Sequence, residues 1–151
     1  MKKVLFIAAA FILSAGAMAQ TSKPDDVAKF NVEKYDFGKV KQAVPAVYYF
    51  EITNKSATPI VIEGAHSTCG CTVPEFPKEP ILPGKTAKLK VEYNAANGGH
   101  FDKPVYVKFA GMKEEKVLGI TGEVLPAQAY EAWVKENAAK SKSKNKNKSG
   151  K

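Results

Sequence analysis

Arginine is missing from this chain of 151 residues; all 23 of its basic residues are lysine. A nucleic-acid interface is expected to show a basic face with arginines, so the folded part is not expected to bind nucleic acid. Histidine occurs twice, too seldom to suggest a hydrolase triad. Ser67 lacks the Gly-x-Ser-x-Gly setting of a nucleophile elbow. Gly98-Gly99 is not followed by a helical pattern, so it reads as a turn and not as a phosphate loop. Glu114-Glu115 lie beside lysines at a hairpin and read as a solvated face. With no catalytic set, the expectation is that the protein is not an enzyme. Beyond Ala19 no apolar run reaches the roughly 20 residues of a spanning helix, so no transmembrane segment is expected in the mature chain.

What is present first concerns export. Lys2 and Lys3 precede an uncharged apolar run, Val4 to Leu13, and Ala17-Met18-Ala19 has the small-x-small form of a cleavage site. Residues 1–19 are expected to be a signal peptide, with the mature chain starting at Gln20. No cysteine stands at that site, which excludes lipoprotein processing. The product is expected in the periplasm or outside the cell, soluble after cleavage. That setting is oxidising, so disulfides persist there.

The formal net charge of +8 resides at the two ends. Two lysines leave with the signal peptide, and six lie in residues 140–151. The 15 lysines between them match the 15 acids, so the domain is formally neutral. The terminal stretch SKSKNKNKSGK has no apolar residue to bury and is expected to be disordered. It could still hold the protein to an anionic surface, such as lipid headgroups or an acidic glycan, at about 1 kcal/mol per lysine near an anionic membrane.

Between the ends the hydrophobic period is two. Tyr48, Phe50 and Ile52 alternate with Tyr49, Glu51 and Thr53; Ala87, Leu89, Val91 and Tyr93 alternate with Lys88, Lys90 and Glu92. Val105, Val107 and Phe109 repeat the pattern. Phe30 with Val32, Ile60 to Ile62, and Val117 to Val124 are further strand-like runs. Gly119 and Gly122 in the last of these suggest a bulge or a close backbone approach. Turn residues separate the runs, as in Leu82-Pro83-Gly84-Lys85 and Asn97-Gly98-Gly99. About seven short strands divided by turns predict a β-sandwich. Residues 20–27 read as a polar lead-in, 28–125 as the domain, and 126–139 as a short helix with Tyr130, Trp133 and Val134 on one face.

The two cysteines stand together in His66-Ser67-Thr68-Cys69-Gly70-Cys71-Thr72. Three readings stay open at this level. Gly70 lets the backbone turn, which brings Cys69 and Cys71 within disulfide range. Such a pair could be an inert staple or a reversible redox couple. His66, Cys69 and Cys71 could instead form a soft three-ligand set for copper or zinc, although the spacing is not a standard zinc spacing. The third reading is two small side chains packed at an edge of the sandwich.

A longer pattern carries a resemblance. Phe37-Gly38-Lys39-Val40, Tyr48 to Lys55, Pro59 to Ile62, Ser67 to Thr72, Pro80 to Lys85, Val91-Glu92-Tyr93, Gly99 to Lys103 and Ile120 to Val124 follow in order. This order resembles the bacterial exported domain-of-unknown-function family 1573, whose hallmark is the Cys-Gly-Cys-Thr stretch. The resemblance covers roughly residues 28–125. It implies an immunoglobulin-like sandwich related to the PapD, major sperm protein and ASH group, with the cysteine stretch near one end or edge. Relatives such as PapD bind partners by strand addition. The functional expectation is a binding or structural module of the cell envelope, whose partner is another envelope protein or a glycan. The alternative is a periplasmic thiol-redox or copper-handling protein.

Overall fold

The structure, a computed structural model, describes residues 23–146. The expected signal peptide, the start of the lead-in and residues 147–151 lie outside the described residues. The order of elements is α1 (Pro24–Val27), β1 (Ala28–Phe30), β2 (Lys34–Lys41), β3 (Ala46–Asn54), β4 (Ile62–Ser67), β5 (Thr72–Glu75), β6 (Thr86–Tyr93), β7 (Gly99–Phe109), β8 (Glu115–Leu125) and α2 (Ala127–Lys146). One four-stranded sheet has the order β1-β3-β6-β5 and the other β2-β8-β7-β4. All neighbours are antiparallel except β2 and β8.

The period of two becomes the core. Phe50 and Ile52 of β3 and Leu89 and Val91 of β6 are fully buried from the first sheet. Val105, Val107 and Phe109 of β7 and Leu118, Ile120 and Val124 of β8 meet them from the second. Side chains alternate across a strand, so their neighbours face water. Tyr48 and Tyr49 split as alternation predicts: Tyr48 packs on the core and Tyr49 is exposed.

Eight strands form where about seven are predicted. The first stretch divides: β1 pairs with β3 in one sheet, and β2 then crosses to pair with β8 in the other. Strand β2 is hidden from a period-two reading because its register shifts between Asp36 and Lys39. Gly38 sits there at φ +65, and its N–H donates to the Asp36 carboxylate at 2.9 Å. The apolar positions Tyr35, Phe37 and Val40 therefore fall out of step.

Two buried polar groups tie the ends down. Asn54 is fully buried, and its amide nitrogen donates to the carbonyls of Thr58 and Ile81, each at 2.8 Å. Its side-chain oxygen accepts from the N–H and hydroxyl of Ser56. Lys116 points inward at 7% exposure and donates to Asp25 at 2.6 Å and Glu33 at 2.7 Å. Burial alone would lower its pKa; the hydrogen bonds and charges of Asp25 and Glu33 reverse this and raise it.

The C-terminal helix, expected over residues 126–139, runs from Ala127 to Lys146. No glycine or proline interrupts residues 127–146. Glu136 and Lys140 bond at 2.6 Å in the i, i+4 relation that supports a helix. Lys41 donates to Glu131 at 2.9 Å and links the helix to β2. Trp133 and Val134 remain exposed.

Candidate functional site

The cysteine stretch is the crossover between the two sheets. Strand β4 ends at Ser67 in one sheet and β5 begins at Thr72 in the other. The backbone turns at Gly70 and Cys71, and the Thr72 N–H donates to the Cys69 carbonyl at 3.3 Å. This turn brings the Cα atoms of Cys69 and Cys71 to 5.2 Å, and a disulfide joins the sulfurs. Of the three readings the sequence leaves open, the structure takes the paired one.

The bond spans a loop of three residues. The chain-entropy relation gives such a loop only about 1.6 kcal/mol, against about 3 kcal/mol for fifteen residues. Closing so short a loop restricts the unfolded chain little.

Both sulfurs are half-buried, with different surroundings. Cys71 packs against the core, and its carbonyl accepts from the Asn94 N–H at 3.0 Å. Gly70 between them is exposed, and a Cβ built there would meet nothing within 4 Å. Beneath the pair lies Thr72, 4% exposed, with its hydroxyl 3.7 Å from the Cys69 sulfur and 3.9 Å from the Cys71 sulfur. Composition and spacing do not mark Thr72 as part of the site, because its burial depends on how β5 pairs with β6.

His66 takes another course. Its ring stacks on Tyr106 at 5.0 Å, and its Nδ1 stands 3.8 Å from a Glu115 oxygen. Among the described residues no group of three or more His, Cys, Asp or Glu is arranged to hold a metal ion. With Cys69 and Cys71 bonded to each other, the set of His66, Cys69 and Cys71 suggested for copper or zinc presents no free thiolate in this structure. Ser67 is occupied as well, donating its hydroxyl to the Pro104 carbonyl at 2.7 Å.

The sheet edges form the second candidate surface, which sequence patterns do not reveal. The edge strands β2 and β4 of the second sheet each carry a register shift, a device that discourages pairing with a further strand. Just before β5, the Cys71 carbonyl accepts from the N–H of Asn94 just after β6, so by alternation Val73 and Glu75 direct their backbone groups to β6 as well. Pro74 then faces outward, with no N–H to offer. Strand β1 pairs only with residues 52–54 of β3. The Asn31 backbone and side chain occupy the N–H and carbonyl of Glu51. Residues 46–50 of β3 pair with β6 on one side and with no strand on the other among the described residues. By the same alternation Val47 and Tyr49 present their backbone groups to this flank. Their side chains are 40% and 49% exposed.

This is the architecture of an immunoglobulin-like β-sandwich of the PapD and ASH kind. An ASH/PapD-like domain of human CEP192 superposes with a TM-score of 0.59 at 12% identity, covering 76% of this chain and 96% of that one. The chain belongs to the family described as protein of unknown function (DUF1573), whose model matches residues 28–124. A protein of unknown function from Porphyromonas gingivalis W83 gives a TM-score of 0.57 at 14% identity, covering 64% of this chain. This chain spans less than half of that protein, 46% of its length. The Vibrio cholerae VesB protease gives 0.52 at 13% identity, covering 66% of this chain and 32% of the protease. At these identities the likeness is one of fold. No curated protein matches the chain. No described helix is long and apolar enough to cross a membrane.

Proposed function

We propose that this chain is a non-enzymatic, exported module of the cell envelope that binds an extended segment of another envelope protein along β3. The observation that carries this reading is the contrast among the edges. Bulges or a proline blunt β2, β4 and β5, while residues 46–50 of β3 keep a straight flank. An incoming strand there would gain backbone hydrogen bonds from Val47 and Tyr49. Val47 and Tyr49 would add apolar contact, and Lys88, 6.0 Å from the Tyr49 ring, could meet an acidic side chain. The export part rests on the residues of the expected signal peptide, from Lys2 to Ala19.

The test is a photo-crosslinker placed at Val47 of the exported protein in intact cells. It is expected to capture an envelope protein, and to lose it when Tyr49→Pro removes an outward N–H. Capture that is equal with and without proline would rule out strand addition. Intact mass should place the mature N-terminus at Gln20. Turnover of a substrate by chemistry other than thiol–disulfide exchange would end the non-enzymatic reading.

A further inference from the structure

The binding reading makes no use of the disulfide, and the disulfide has features a staple does not need. It closes so short a loop that it constrains the unfolded chain little. It lies in a turn with open space above Gly70, which gives an incoming thiol room to approach. A buried hydroxyl, that of Thr72, touches both sulfurs. A disulfide sulfur is a weak acceptor, whereas a thiolate is a strong one. The Thr72 hydroxyl therefore gains most when the bond opens and one sulfur becomes charged.

We propose that Cys69–Cys71 is a thiol–disulfide exchange site that takes a dithiol as its reaction partner, with Thr72 stabilising the departing thiolate. The two sulfurs are not equivalent. Cys71 is packed against the core and held at its carbonyl by Asn94, which leaves Cys69 as the sulfur open to attack. A thiolate of the dithiol attacks the Cys69 sulfur, and a new S–S bond forms between them. The Cys69–Cys71 bond breaks, and its electron pair goes to the Cys71 sulfur. The Thr72 hydroxyl donates to that thiolate, which then takes a proton from water. The second thiol of the dithiol loses its proton to water and attacks the dithiol's first sulfur; the mixed disulfide breaks, and its electron pair leaves on the Cys69 sulfur, which takes up a proton. The dithiol is oxidised to a disulfide, and Cys69 and Cys71 are reduced to two thiols. The reverse sequence returns the oxidised pair.

The full mature protein is mixed with dithiothreitol under native conditions, and new thiols are trapped by alkylation and counted by mass. The wild-type bond is expected to open while circular dichroism still reports the folded state. Thr72→Val keeps the shape and removes the donor; it should slow opening about tenfold, the kinetic size of one hydrogen bond to a charged sulfur. Thr72→Ser restores the donor and should restore most of the rate. Reduced Thr72→Val should also show a higher thiol pKa in the pH dependence of alkylation, which a purely structural change would not produce. A second measurement needs no variant. Oxidised glutathione is added to the reduced wild-type protein, and the mixed disulfide is mapped by peptide mass, with Cys69 as the expected site. Opening only at the rate of global unfolding, equal rates for Thr72→Val and wild type, or an adduct on Cys71 would each overturn the proposal. None of these outcomes bears on strand addition at β3.

Discussion

Gly119 and Gly122 lie three residues apart on β8, and the structure assigns them opposite tolerances. A Cβ at Gly122 would stand 2.8 Å from two ring carbons of Phe101 and 3.0 Å from the Gly38 carbonyl oxygen. Phe101 is 4% exposed and stacked on Tyr93 at 4.0 Å, so its ring has nowhere to go. The Gly38 oxygen is backbone, fixed in the β2 bulge. A Cβ at Gly119 would meet only the Lys34 side chain, at 3.2 Å from its Cγ. That lysine is exposed and can turn aside. Neither glycine has a positive φ, so alanine strains neither backbone. Both substitutions gain about 0.5–1 kcal/mol from the loss of freedom in the unfolded chain. Overpacking at Gly122 costs about 1–3 kcal/mol. Gly119→Ala should therefore be neutral or slightly stabilising, and Gly122→Ala should fall about 2 kcal/mol below it. With a urea slope of about 1.5 kcal/mol per molar, the two midpoints should differ by about 1.3 M. Far-UV circular dichroism is the better probe, because Trp133 lies on the exposed helix α2 and reports little of the sandwich. Midpoints that agree closely, or a more stable Gly122→Ala, would refute the close approach of β8 to Phe101 and β2.

Asn54→Ala removes four hydrogen bonds: the Thr58 and Ile81 carbonyls each keep one other donor, while the Ser56 N–H and hydroxyl lose their Asn54 acceptor; a loss of about 2–4 kcal/mol is expected in the same urea assay. Lys116→Met keeps the buried stem and strands no buried charge, since Asp25 and Glu33 are themselves exposed, so about 1–2 kcal/mol should be lost. The folded-state pKa of Lys116 is raised, so its contribution is fully present below the ordinary lysine value and disappears as pH rises through the folded value. The stability gap between wild type and Lys116→Met should accordingly be constant near neutral pH and close only in strongly alkaline solution. Replacing both cysteines by serine should cost no more than about 2 kcal/mol, as the three-residue loop allows; a loss of twice that would make the bond a structural staple.

Alternation in Tyr48 to Thr53, Ala87 to Tyr93 and Val105 to Phe109 is enough to name three core strands, because the period of two is a local property of the backbone. The motif order places the chain in its family, and the matched charges of residues 20–138 are likewise written in composition. Other features depend on which strands become neighbours. Strand β2 escaped the pattern because its bulge is fitted to β8, and the bulge takes its meaning from the pairing. Helix α2 outran the expected boundary because alternating lysines and small polar residues lack a core-facing stripe yet contain nothing that breaks a helix. His66 stands three residues from Cys69 in sequence but is turned toward Tyr106 and Glu115 by the register of β4 on β7. The spacing of Cys69 and Cys71 makes a bond feasible; the crossover between sheets forms it and buries Thr72 beneath it. The free flank of β3 exists because β1 ends after three residues and the chain crosses to the other sheet. Local periodicity thus determined the strands and the core, while edges, bulges and the surroundings of the disulfide arose only when distant segments paired.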